Sequence, residues 1–112
     1  MLEKKLGKIQ SVKFGIGGYQ DTCFGIFFIF SSKDWHCGSS KFTWDPNCIK
    51  HTDGCSWNET ERSNDLNKIM RYISDLLRDA KVDDVTKLCG KPVEVVFENT
   101  KVQSWRILTE VL

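Results

Sequence analysis

The segment from Thr22 to Ser31 constrains the fold more than any other, because it is apolar on both faces of a predicted strand. Side chains alternate between the two faces of a strand, so a strand with one face in water alternates apolar with polar residues. Here both alternating sets are apolar: Phe24, Ile26, Phe28 and Phe30 on one face, and Cys23, Phe27 and Ile29 on the other. Each of the two faces of this strand must therefore have its own cover, since so many exposed aromatic rings would form a large adhesive patch.

A long amphipathic helix is the first predicted cover. Asn58 is placed to cap its start, and Glu61 follows three residues later in a capping-box arrangement. Apolar residues then recur at three- and four-residue spacing, which indicates a core-facing stripe. The stripe consists of Leu66, Ile69, Met70, Ile73, Leu76, Leu77 and Ala80. Two alternatives stay open for the second cover: a partner subunit, which would make the protein a homodimer, or the middle of the chain folding over the strand.

Further strands are predicted before the helix. Residues 9–16 alternate as a first strand, with Val12, Phe14 and Ile16 on one face. Residues 17–21, with two glycines, are typical of a hairpin turn into the second strand. Residues 41–45 predict a third, short strand, which Pro46 ends.

A second group of elements follows the helix. Asp83 or Asp84 starts a short helical turn that Gly90 stops. A hairpin then closes the chain, with strands at residues 92–98 and 102–111 and with Val93, Val95 and Phe97 inward. The order of strands, helix and strands predicts a single α+β domain over residues 1–112. Its mainly antiparallel sheet, built from an N-terminal and a C-terminal hairpin, packs on one long helix.

Composition narrows the classes of function. The chain is 40% hydrophobic and 28% charged, as in a globular protein, and its net charge of +1 disfavours a nucleic-acid partner. The N-terminus lacks the apolar core of a signal peptide, and the longest apolar run, residues 24–30, is too short to cross a membrane. We therefore expect a cytoplasmic protein without a membrane partner, whose five cysteines are free thiols.

Both histidines and three of the five cysteines fall between Trp35 and Trp57. The candidate zinc ligands are Cys48, His51 and Cys55, with Cys37 or His36 as a fourth. Thiolate and imidazole are the ligands that zinc prefers. The pattern nevertheless lacks a Cys-x-x-Cys pair, its fourth ligand is ambiguous, and cysteine is common as a small buried hydrophobe. We expect neither metal nor other cofactor, and zinc stays an alternative.

Nothing in the sequence indicates catalysis. A nucleophilic cysteine needs a neighbouring base, but His36 and Cys37 are adjacent and point to opposite faces if they lie on a strand. His51 could approach Cys48 or Cys55 across a turn, but no oxyanion hole or orienting acid accompanies them. The glycine-rich residues 15–18 precede a strand, whereas a dinucleotide-binding loop precedes a helix. We therefore expect a protein that is not an enzyme.

Aromatic residues and arginine are the better candidates for function, because both are enriched at binding hot spots. Of the four tryptophans, Trp57 precedes the helix cap and suits a hydrophobic staple. The first hairpin turn offers polar contacts beside them. The predicted partner-binding residues are Tyr19, Gln20, Asp21, Trp35, Trp44 and Arg106.

Two segments resemble a family of small proteins encoded by tailed phages and prophages. They are residues 14–21, FGIGGYQD, and the ending SWRILTEVL at residues 104–112; residues 57–82 and 90–95 are also similar, so the resemblance covers most of the chain. It implies no catalytic residues. It implies instead that the protein binds and disables or redirects a host component, as small phage accessory proteins commonly do.

We therefore expect a non-enzymatic phage accessory protein that acts in the host cytoplasm by binding a host protein, such as part of a defence system. Two alternatives of other classes stay open. One is a protein that sequesters a small molecule or nucleotide at a subunit interface, and the other is a zinc-stabilised nucleic-acid-binding module.

Overall fold

The computed structural model describes residues 2–45 and 59–112, which form five strands and one long helix. The elements are β1 (Leu2–Gly17), β2 (Cys23–Ser31), β3 (His36–Trp44), α1 (Glu59–Ala80), β4 (Pro92–Glu98) and β5 (Lys101–Ile107). Three single 3₁₀ turns connect or end them, at Tyr19–Asp21, Val85–Leu88 and Thr109–Val111. The predicted α+β class, with an antiparallel sheet on one long helix, is confirmed.

The sheet is organised around β1, which is 16 residues long. Its strand order is β3-β2-β1-β4-β5, and every neighbouring pair is antiparallel. The second half of β1, from Lys8, pairs with β2, whereas the first half pairs with β4 on the other side. The β2–β3 hairpin and the β4–β5 hairpin therefore lie on opposite sides of β1 and are displaced along it.

The core lies between the sheet and α1. Ile69, Ile73, Leu76 and Ala80 are the buried residues of the helix, at the spacing of a single stripe. They pack in one cluster with alternate residues of the strands: Ile9, Ile26, Phe28, Phe30, Val93, Val95, Phe97 and Ile107. The predicted first cover of β2 is thus the helix. The predicted inward set on β4 is confirmed as well.

Four details differ from the sequence-based expectation. β1 starts at Leu2 and β3 at His36, both earlier than predicted, because pairing with β4 and β2 extends them. β5 ends at Ile107, where the backbone turns into a 3₁₀ turn. Met70, which the sequence predicts in the core stripe, is 58% exposed, since it lies beside the stripe of four residues that α1 buries. The predicted cap residue Asn58 lies outside the described residues.

Candidate partner-binding surface

The sheet has two unlike faces, and the register of its strands assigns each side chain to one of them. Residues directly opposite one another in an antiparallel pair share a face. Thr43 lies opposite Phe24, and its hydroxyl donates to Asp65 of α1 at 3.2 Å, so this set of side chains faces the helix. The other set on β2, beginning at Cys23, points away from α1. We call that side the open face.

Four apolar residues cluster on the open face, and we call them the aromatic patch: Phe27, Ile29, Phe42 and Trp44. The rings of Phe27 and Phe42 are stacked, with centroids 6.1 Å apart and an interplanar angle of 13°. Ile29, Phe42 and Trp44 are nevertheless 43%, 44% and 41% exposed.

Glycines bring the strands close beneath the patch. A Cβ on Gly25 would collide with the carbonyl oxygen of Lys41 and lie 2.6 Å from Cα of Phe42. A Cβ on Gly17 would lie 3.0 Å from the ring of Phe27. Gly25 therefore lets β2 and β3 approach closely, and Gly17 leaves room for the ring of Phe27.

The turn between β1 and β2 lies at the same end of the sheet as Trp44. Cys23, just after the turn, pairs with Trp44, and the N–H of Asp45 donates to the carbonyl of Thr22 at 3.0 Å. Gln20 and Asp21 both have positive φ, 52° and 53°. Few non-glycine residues adopt this left-handed conformation, although Asp does so more readily than most.

Hydrogen bonds within the turn hold this conformation. The hydroxyl of Thr22 donates to the carbonyl of Tyr19 at 2.7 Å, and the N–H of Asp21 donates to the carbonyl of Gly18 at 3.2 Å. The Tyr19 side chain is left 76% exposed. The structure thus brings four predicted partner-binding residues to one end of the sheet: Tyr19, Gln20, Asp21 and Trp44.

Trp35, another predicted partner-binding residue, lies at the opposite end of the β2–β3 hairpin. It is half-buried, and its ring meets Phe97 edge-on, with centroids 5.5 Å apart and an interplanar angle of 83°. A Cβ on Gly7 would lie 2.9 Å from the same indole, so the ring packs directly on the β1 backbone. These contacts give Trp35 a role within the fold.

Arg106, the sixth predicted residue, is held by two carboxylates. Its guanidinium donates to Glu94 at 3.2 Å and forms a two-bonded pair with Glu110, each bond 2.9 Å long. The hydrogen bonds to Arg106 lower the pKa of Glu110 from 4.5 to about 2, and the same bonds raise the pKa of Arg106. The network ties the C-terminal 3₁₀ turn to β4 and β5.

Of the candidate zinc ligands, only His36 and Cys37 belong to the described residues, and Cys48, His51 and Cys55 lie outside them. His36 is exposed, and burial raises the pKa of the half-buried Cys37 thiol, which lowers its reactivity. Cys23, Cys37 and Cys89 are free thiols. In the part of the chain that the structure describes, no three His, Cys, Asp or Glu side chains are grouped as metal ligands.

Phe27, Ile29 and Phe42 were not among the residues predicted from the sequence to bind a partner. The signal that points to them is that β2 is apolar on both faces, together with the strand that pairs with it.

No described helix is long and apolar enough to cross a membrane. Comparison of the chain with protein-family models, with curated proteins and with solved structures finds no match.

Proposed function

We propose that this chain is a non-enzymatic phage accessory protein that binds a host protein in the cytoplasm and blocks or redirects it, a component of a defence system being the leading candidate. The observation that carries the binding role is the aromatic patch on the open face, which adjoins the exposed 19–21 turn. The phage context rests on the resemblance of residues 14–21 and 104–112 alone.

The size of the patch suits the centre of an interface. An aromatic side chain offers roughly 150–250 Å² for burial. At 41–44% exposure, Phe42, Trp44 and Ile29 together leave on the order of 200–300 Å² of side-chain surface open. A stable interface buries roughly 800 Å² on each partner, and a few central aromatic anchors dominate its energy. The patch would therefore be a hot spot, with the polar 19–21 turn as part of its rim.

Site-directed crosslinking tests the proposal. A photoreactive phenylalanine analogue at position 42 should capture a discrete host protein from a bacterial lysate, and Trp44→Ala in the same chain should abolish the capture. The matched control places the analogue at position 70, since Met70 is an exposed apolar residue of α1. Equal capture from positions 42 and 70, or capture that survives Trp44→Ala, would contradict binding through the patch.

A second candidate function, sequestration of a small molecule or nucleotide between two copies of the chain, is favoured by one further observation. Gly15 pairs with Gly25 on the open face, and no described residue beyond its chain neighbours lies within 4 Å of the position that a Cβ on Gly15 would take. Bare backbone beside exposed rings suits a flat ligand that stacks on the rings. Because the exposed rings lie on an open sheet surface, enclosing such a ligand requires a second copy.

Native mass spectrometry of the protein purified from infected cells separates the two candidates. Sequestration predicts a dimer that carries a small-molecule mass and loses it with Trp44→Ala. A monomer, or a dimer of unliganded mass, would exclude sequestration and leave the crosslinking result as the test of a protein partner. The same spectrum tests zinc binding, the third hypothesis, by the mass of a metal adduct.

A further inference from the structure

A polar cleft lies on the other side of the sheet from the aromatic patch, where the two edge strands approach each other beside α1. Its volume is about 230 Å³, and its walls come from β3, β5 and Tyr72 of the helix. Three serines, Ser39, Ser40 and Ser104, line it together with Lys41. Among residues 2–45 and 59–112, no acidic residue lines this cleft, so the described lining carries a positive charge.

Tyr72 is a pre-oriented hydrogen-bond donor in this wall. Its ring meets Trp105 edge-on, with ring centroids 6.4 Å apart, and this contact fixes the position of the Tyr72 side chain. The Tyr72 hydroxyl has one proton to donate to an acceptor. Burial raises the pKa of Tyr72 to about 12, so the hydroxyl keeps this proton at neutral pH.

Lys41 supplies the charge. Its ammonium lies 5.2 Å from the centre of the Tyr72 ring, within the range of a cation–π contact, which positions the cation at the cleft. Among residues 2–45 and 59–112, Lys41 forms no ion pair.

We propose that this cleft binds the oxyanion group, phosphate or carboxylate, of a small molecule. An ammonium ion, a phenol proton and serine hydroxyls are the donors that such a group requires, and no acidic side chain in the cleft competes for them. The volume is below the roughly 300–1,000 Å³ typical of sites for whole drug-sized ligands. The cleft therefore holds the anionic group, with the rest of the molecule outside. This inference goes beyond the proposed function and uses none of its residues.

Titration of ¹⁵N-labelled protein, followed by ¹H–¹⁵N correlation spectra, tests the proposal. Inorganic phosphate and acetate are the two probes, each added at constant ionic strength against sodium chloride. We expect saturable shifts at the Trp105 indole N–H and at the amides of Ser39 and Ser104. A response to phosphate alone assigns the site to phosphate esters, and a response to both assigns it to oxyanions in general.

Variants distinguish specific anion binding in the cleft from nonspecific attraction of anions by positive charge. Lys41→Gln should weaken binding about tenfold, and Tyr72→Phe should weaken it by a smaller factor, because a charge-assisted bond exceeds a neutral one. Lys13→Gln is the matched control: it removes the same charge from an exposed lysine on the open face.

Two results would overturn the inference. One is a set of shifts that does not saturate with either probe. The other is equal weakening by Lys41→Gln and Lys13→Gln, which would mean that net charge alone attracts the anion. Lys41 is exposed, so its replacement should leave the fold intact even if Tyr72→Phe destabilises it.

Discussion

Gly25 and Gly15 provide a matched test of how closely β2 and β3 pack. The two glycines pair with each other across β1 and β2, so they share a row and a face of the sheet. An added methyl group meets nothing within 4 Å at Gly15. At Gly25 it would collide with the carbonyl oxygen of Lys41 and lie 2.6 and 2.8 Å from Cα and Cβ of Phe42. The same substitution to alanine should therefore have opposite effects at the two positions.

The expected magnitudes follow from these distances. At Gly25 two of the three close atoms belong to the backbone of β3, so a strand must move and no flexible side chain can relieve the contact. Overpacking of this kind costs about 1–3 kcal/mol, and we expect the upper part of that range. Neither glycine has positive φ, so Gly15→Ala restricts the unfolded chain without strain and should stabilise by about 0.4–1 kcal/mol. The two variants should differ by roughly 2–4 kcal/mol.

Urea unfolding monitored by tryptophan fluorescence measures this difference. For a chain of 112 residues, 1 kcal/mol corresponds to about 4 °C in Tm, so the thermal midpoints should differ by on the order of 8–15 °C. The denaturant m-values should stay alike, because both variants expose the same surface on unfolding. If the two variants agreed within about 0.5 kcal/mol, the close approach of β3 to Gly25 would be refuted.

Three further predictions test the core, the C-terminal ion pairs and the thiols. Phe30→Ala should cost about 3–5 kcal/mol in urea unfolding, because Phe30 is fully buried; a cost near 1 kcal/mol would contradict that burial. Glu110 has a lowered folded pKa, so its pairing with Arg106 stabilises the fold above pH about 4.5 and this contribution is lost as the pH falls toward about 2. The urea midpoint of Glu110→Gln should accordingly lie below that of the unmodified protein at neutral pH and converge with it in acid. Iodoacetamide should label the exposed Cys89 before Cys37, as peptide mass spectrometry can show, and the reverse order would contradict the effect of burial on the Cys37 thiol.

The helix and the fold class could be predicted because the relevant signals are local. The apolar residues at helical spacing predict that Ile69, Ile73 and Leu76 belong to the core, and all three are buried. The width of such a stripe is set by what packs on it, so the exposure of Met70 could not be derived from α1 alone. The start of β3 is a similar case. Residues 38–40, Gly-Ser-Ser, have weak strand preference and form a strand because β2 offers them a partner.

The sequence predicts that a second apolar surface exists, but it does not predict which residues form that surface. The apolar residues on both faces of β2 indicate a second surface that must be covered or used. Which side chains of β3 join that surface depends on the register, and a slip of one residue would move Phe42 and Trp44 to the helix face. Register between strands is a tertiary property. The ion pairs of Arg106 with Glu94 and Glu110 likewise depend on tertiary structure, so the sequence alone does not predict them.

Trp44 separates binding from folding better than Phe42 does. Its backbone is fixed without the indole: it pairs with Cys23, and its carbonyl accepts from the guanidinium of Arg62 at 3.1 Å. The preceding Thr43 is anchored to Asp65 of α1. Phe42, in contrast, stacks on Phe27, so its removal disturbs both the fold and the surface. A loss of partner capture with Trp44→Ala at unchanged stability would therefore report on recognition, whereas the same loss with Phe42→Ala would not distinguish recognition from packing.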